Sequence, residues 1–159
     1  MTENDVEDLI QNYVKDIEII KALGFDGVEL HGAHGYMIDQ FFWKDTNIRK
    51  DQFGKESDLR TKFVCEIVSR ARKLVGKNYP IMLRFSQWKQ QDYEARLASS
   101  PKDLETFLGP ISDAGVDMFH ASTRRYWEPE FEGSDLNLAG WTKKITNKPT
   151  ITVGSVGLD

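Results

Sequence analysis

Three residues set in E-L-H-G-A-H-G-Y carry reactive side chains: His31, His34 and Tyr36. A neutral imidazole donates from one ring nitrogen, so two can converge on one oxygen. A carbonyl held that way is polarised, and negative charge growing on its oxygen is stabilised. The three-residue spacing on a turn lets both rings face one spot. Tyr36 adds an acid. A phenol with an ordinary pKa of about 10 is protonated at neutral pH and can supply a proton to a developing carbanion. The same histidines admit a second chemistry. His31, His34 and His120 could instead bind zinc and activate water, as in a metal-dependent hydrolase.

Other groups stand at comparable places. Arg84 closes a second apolar run, where a fixed cation must face a charge or water. Glu29 is one possible ion-pair partner for it. Gly154, Ser155 and Gly157 follow the last apolar run. Small residues there let backbone N–H groups approach a phosphate, although a bare G-S-x-G also makes a simple turn. His120, Arg124, Arg125, Trp127, Trp88 and Tyr93 follow apolar runs too, and either line a cleft or pack within loops.

The helices and strands that hold these groups are legible from periodicity. Residues 2–23 read as an amphipathic helix, with Thr2 and Asp5 forming a capping box and Val6, Leu9, Ile10, Tyr13, Val14, Ile17 and Ile20 on one face. Gly24 can take the left-handed conformation that stops it. Residues 25–30 are short and apolar and fit a strand covered on both faces, its core at 27–30. His31 then ends the strand, and His34 and Tyr36 lie in the loop. A short helix at 36–43 turns Ile38, Phe41 and Phe42 inward. Residues 47–55 read as a polar surface excursion.

A long helix is expected over 58–75, with Ser57 as cap and Phe63, Val64, Ile67, Val68, Ala71 and Leu74 as its apolar stripe. A second strand covers 81–85 and a polar loop 86–99. Ser100-Pro101 opens the next helix, with serine as cap and proline in the first turn. It ends at Gly115. A third strand at 118–121, a loop at 122–137, a short helix at 138–145 and a fourth strand at 150–153 complete the chain. Strict alternation with short apolar strands implies a parallel sheet with right-handed crossovers. There is a faint internal echo: L-G-F-D before the first strand resembles A-G-V-D before the third, and a histidine ends each.

Composition limits the function classes. The chain has 159 residues, 40% of them hydrophobic, and a net charge of -4. That is one domain with a real core, and its acidity argues against a nucleic-acid partner. Cys65 stands alone, so it forms no internal disulfide, and its place in an apolar helix reads as a core thiol. No run reaches membrane-spanning length and no signal-peptide pattern opens the chain, so a cytoplasmic setting is expected. An open doubly wound sheet is one architecture for four βα units. Half of an eight-stranded barrel, which typically needs about 250 residues, is the other. On that reading residues 1–159 are a single partial barrel domain and a piece of a longer protein.

The run G-F-D-G-V-E-L-H-G-A-H-G-Y, followed by I-D-Q-F-F and T-N-x-R-x-D, closely resembles the old yellow enzyme family. The resemblance continues through Arg60 to Phe63, through P-I-M-L-R-F-S from Pro80, and to the closing V-G-S-V-G. It departs at Lys50 to Arg60, where Lys55 and Glu56 replace the family's second glycine and serine. What it implies is an FMN-dependent NADH:flavin oxidoreductase or ene-reductase on a TIM (β/α)8 barrel, of which this chain covers strands four to seven. It implies that His31 and His34 hold the carbonyl or phenolate oxygen of a ligand above the flavin and that Tyr36 is the proton donor. By the same resemblance Arg84 would lie by the flavin's pyrimidine edge, and Gly154 and Ser155 would lie at its phosphate. NAD(P)H is the implied reductant and a small enone or related electrophile the acceptor. A half barrel is expected to be inactive alone and to self-associate.

Overall fold

The computed structural model describes residues 1–54, 56 and 59–157. Lys55, Ser57, Asp58 and the last two positions of the chain lie outside the described residues, and with them the expected Ser57 cap and the expected helix start at 58.

Thr2 starts α1 (Glu3–Ala22) through a capping box: Asp5 N donates to Thr2 Oγ1 at 3.2 Å, and Thr2 N donates to Asp5 Oδ2 at 2.6 Å. Two of the four amide groups that a helix start leaves unpaired are met this way. The helix buries Val6, Ile10, Val14 and Ile17. Gly24 follows at φ 87°, the left-handed stop. Phe25 is exposed rather than part of the strand. β1 begins at Val28 and runs to His34, so it is longer than the apolar run alone suggests. Hydrogen bonding to its neighbour, not hydrophobicity, carries it through His31 and Gly32.

α2 (Met37–Phe42) turns Ile38, Phe41 and Phe42 into the core. α3 (Lys62–Val75) starts later than expected, and Leu74 is exposed rather than in its buried stripe. β2 (Ile81–Lys89) runs four residues past the expected end. The segment expected to be a polar loop buries Ser86, Gln87, Lys89, Ala95, Leu97 and Ala98. α4 (Pro101–Ala114) is capped by Ser100 Oγ, which accepts from Asp103 N at 3.1 Å. β3 (Met118–Ser122), α5 (Leu138–Thr146) and β4 (Thr150–Val153) follow as expected to within a residue.

The strands pair in parallel in the order β1-β2-β3-β4. The order never reverses, so the sheet lacks the switch point of a doubly wound fold. It is an arc of a barrel, and among the described residues β1 and β4 are free edges. Side chains alternate across the arc. Leu30, Leu83 and Phe119 share a register row and face the helices, fully covered. There Phe85 packs against Phe107 and Phe119, and Phe107 meets Phe42 edge-on at 4.9 Å. Burying each such ring contributes about 2–3 kcal/mol. The next row, His31, Arg84, His120 and Ile151, faces the other way. That inner face is open, with Ile151 40% exposed. No helix among the described residues is long and apolar enough to cross a membrane.

Candidate active site

His31 is inside β1 and His34 is its last residue, not a loop residue. The strand has to bend to present both. It does so where the β1–β2 register shifts between Gly32 and His34. His34 then takes φ 63° and Gly35 φ 84°. The left-handed φ is what calls for glycine at position 35, since the atom nearest a Cβ there is the movable end of Gln91, Oε1 at 2.3 Å. The turn brings the rings together. His31 and His34 have centroids 5.5 Å apart, and His31 and Tyr36 5.4 Å. Tyr36 Oη donates to Gln90 Oε1 at 3.2 Å.

The three rings differ in exposure. His31 and Tyr36 face solvent, while His34 is 9% exposed. Trp88 covers His34, its ring stacked at 4.3 Å. Ser122 Oγ lies 2.8 Å from His34 Nε2. Arg84, in the interior of β2 rather than at its end, donates from Nη2 to the same Ser122 Oγ at 3.2 Å. Burial pushes the His34 pKa down to about 4, and the Arg84 cation adds to it. His31 is lowered too, by burial first and Arg84 second. Both imidazoles are therefore neutral at pH 7, the state that can donate to an oxygen from one nitrogen.

Glu29 pairs with His120, Oε2 to Nδ1 at 2.8 Å, and not with Arg84. Arg84 has no carboxylate partner among the described residues, and its Nε is buried without a hydrogen bond. The zinc reading loses its geometry here. His120 Nδ1 is committed to Glu29 and His34 Nε2 to Ser122, and no cluster of three His, Cys, Asp or Glu among the described residues could hold a metal. Cys65 is no nucleophile: burial raises its thiol to about 11.

Gly154 and Ser155 lie just past β4. A Cβ on Gly154 would fall 2.3 Å from Thr123 O, so close backbone approach alone explains this glycine. Ser155 Oγ donates to Arg124 O at 3.0 Å, joining the loops after β3 and β4.

One site feature escaped the sequence. Lys89 Nζ and Asp39 Oδ1 form an ion pair at 2.8 Å, both side chains 0% exposed. Asp39 Oδ2 accepts from Gly35 N at 2.6 Å, and Ser86 Oγ accepts from His34 N at 2.9 Å. Burial raises the Asp39 pKa and lowers that of Lys89, while their contact opposes both shifts. The pair bolts the corner that carries His34 and Tyr36. The only signal for it was a lysine in a run that alternation could not extend.

The family model for NADH:flavin oxidoreductase / NADH oxidase matches residues 1–159. This chain belongs to that family. Among curated relatives, it is 37% identical to the NADH oxidase of Thermoanaerobacter brockii, over 98% of this chain and 25% of that protein. It is 29% identical to the cinnamate reductase of Clostridium sporogenes, over 97% of this chain and 26% of that protein. An old yellow enzyme homologue from Zymomonas mobilis superposes with a TM-score of 0.80 at 20% identity, over 99% of this chain and 44% of that structure. The family fold is therefore the barrel expected, and this oxidoreductase-family chain spans about a quarter of those curated relatives' length.

Proposed function

We propose that this chain supplies one half of the active site of an FMN-dependent, NAD(P)H-driven ene-reductase of old yellow enzyme type. The convergence of His31, His34 and Tyr36 at one end of β1, in a chain of this family, carries the reading.

Whether the residues fit a flavin can be asked of Arg84. Its guanidinium sits on the inner face with no carboxylate partner among the described residues, and its buried Nε lacks a hydrogen bond there. A cation in that state fits an electron-rich ring edge. The phosphate end fits less distinctively, because Gly154 is already accounted for by Thr123. We assign Arg84 to the flavin ring and Gly154 and Ser155 to its phosphate. FMN bound there supplies hydride transfer.

The remaining chemistry is the chain's own. His31 and His34, neutral, donate to the carbonyl oxygen of a small enone and polarise it. Neutrality matters, because imidazolium groups beside Arg84 would repel one another and bind anions indiscriminately. Tyr36 holds its proton at Oη, 3.2 Å from Gln90, and delivers it to the α-carbon. Trp88 excludes water from one face of His34. The cinnamate acted on by one relative is a small conjugated electrophile of this kind.

The test is His31→Ala with His34→Ala in the full-length flavoprotein. Loss of phenol binding and of enone reduction, with the bound-flavin spectrum kept, is expected. Survival of both activities would remove the assignment.

A further inference from the structure

Ser122 joins two groups that the proposed mechanism treats as separate. Arg84 on β2 and His34 on β1 both reach its hydroxyl from β3, at 3.2 and 2.8 Å. Ser122 is itself 2% exposed, so bulk water does not compete for these contacts. A guanidinium can only donate. The hydroxyl oxygen therefore accepts from Arg84, and its own proton is free to turn elsewhere. Among the described residues, the other group within hydrogen-bond distance of that oxygen is the His34 ring.

We infer that Ser122 is a positioning residue: it accepts from Arg84, donates to His34 Nε2, and so fixes the imidazole proton on Nδ1. This rests on the reading of His34 as a ligand-holding residue. A neutral imidazole has two tautomers, and the partner of one nitrogen decides which is populated. With Nε2 engaged as an acceptor, Nδ1–H is the donor left for a substrate oxygen. The chain Arg84–Ser122–His34 also aligns its dipoles. The positive end at Arg84 strengthens the Ser122 donor, which pulls electron density from the ring and makes Nδ1–H a better donor. The residue that meets the flavin in the proposed site is thus coupled to the one that meets the substrate.

The experiment uses the full-length, flavin-loaded protein with 15N-labelled histidine, His34 being assigned by its loss in His34→Gln. In the wild type the ring is expected as a single Nδ1–H tautomer. Ser122→Ala, which removes one small atom, is expected to give mixed tautomers. It should weaken para-substituted phenol binding about tenfold, the size expected for one lost buried hydrogen bond. Phenol affinity is compared per flavin-loaded site, with FMN content measured for each variant. Ser122→Thr, which keeps the hydroxyl, should restore both readouts. A wild-type ring protonated on Nε2 overturns the inference, and this measurement needs no variant to fold. Unchanged tautomer and phenol affinity in Ser122→Ala overturns it as well. If His31→Ala/His34→Ala keeps phenol affinity, the functional reading has failed instead, whatever the tautomer shows.

Discussion

The His34 imidazole lies on the Trp88 indole, with centroids 4.3 Å apart and planes 23° from parallel. The stack removes water from one ring face, and burial is the main reason that the His34 pKa falls to about 4. The unfolded chain would take up a proton near pH 6.5 that the folded chain refuses. His34 therefore contributes stability fully above pH 6.5, and that contribution is lost as pH falls toward about 4. At about 1.4 kcal/mol per pKa unit it is on the order of 3 kcal/mol. Urea unfolding at pH 7.5 and at pH 4.5 should show less acid sensitivity for His34→Gln than for the wild type. Trp88→Ala should move the His34 titration, followed by ring NMR, back up toward the ordinary value.

Gly154 and Gly24 both have positive φ, 134° and 87°. Only Gly154 is also crowded, its missing Cβ facing Thr123 O at 2.3 Å, while nothing lies within 4 Å of that position at Gly24. Gly24→Ala should cost about 1–2 kcal/mol, the left-handed penalty alone. Gly154→Ala should cost about 2–4 kcal/mol, because a backbone oxygen cannot move aside as a side chain can. Thermal melts of the two variants decide it, and equal losses would contradict the crowding argument.

Lys89→Met should cost about 3–5 kcal/mol, since it leaves the Asp39 carboxylate buried and unpaired. The loss should shrink when Asp39→Asn is added, for the neutral amide keeps an acceptor for Gly35 N and drops the charge. If the double variant is no more stable than the single one, the ion pair is not what the corner depends on. Chemical denaturation measures both.

Residues 1–159 by themselves leave β1 and β4 as free edges among the described residues, and leave the row of His31, Arg84, His120 and Ile151 uncovered. Free strand edges invite pairing with other chains. Residues 1–159 alone should bind FMN weakly or not at all and should self-associate. Submicromolar quenching of flavin fluorescence, or a strictly monomeric sedimentation profile, would count against this.

Much of the scaffold was written in local chemistry. Thr2 with Asp5, Ser100 before Pro101, and Gly24 and Gly115 at helix ends name their roles through groups a few residues away. The third and fourth strands and their helices came out within a residue for the same reason. His31, His34 and Tyr36 were also legible, because a turn and a spacing of three bring them near one another without help from distant residues. Where β1 and β2 end was not legible. Their last residues are held in the sheet by bonds between strands, and Gly32, Gln87 and Lys89 carry no periodicity that announces it.

Short-range patterns along the chain were thus enough for the alternation of elements, the family and the candidate chemical groups. Which of those groups meet was settled by how the sheet packs. That packing sent Glu29 to His120 rather than to Arg84, buried Lys89 against Asp39, and placed Ser122 between Arg84 and His34. Those partners lie 91, 50, 38 and 88 residues apart along the chain. Strand register sets such distances, and register is fixed only when the whole sheet closes on its core.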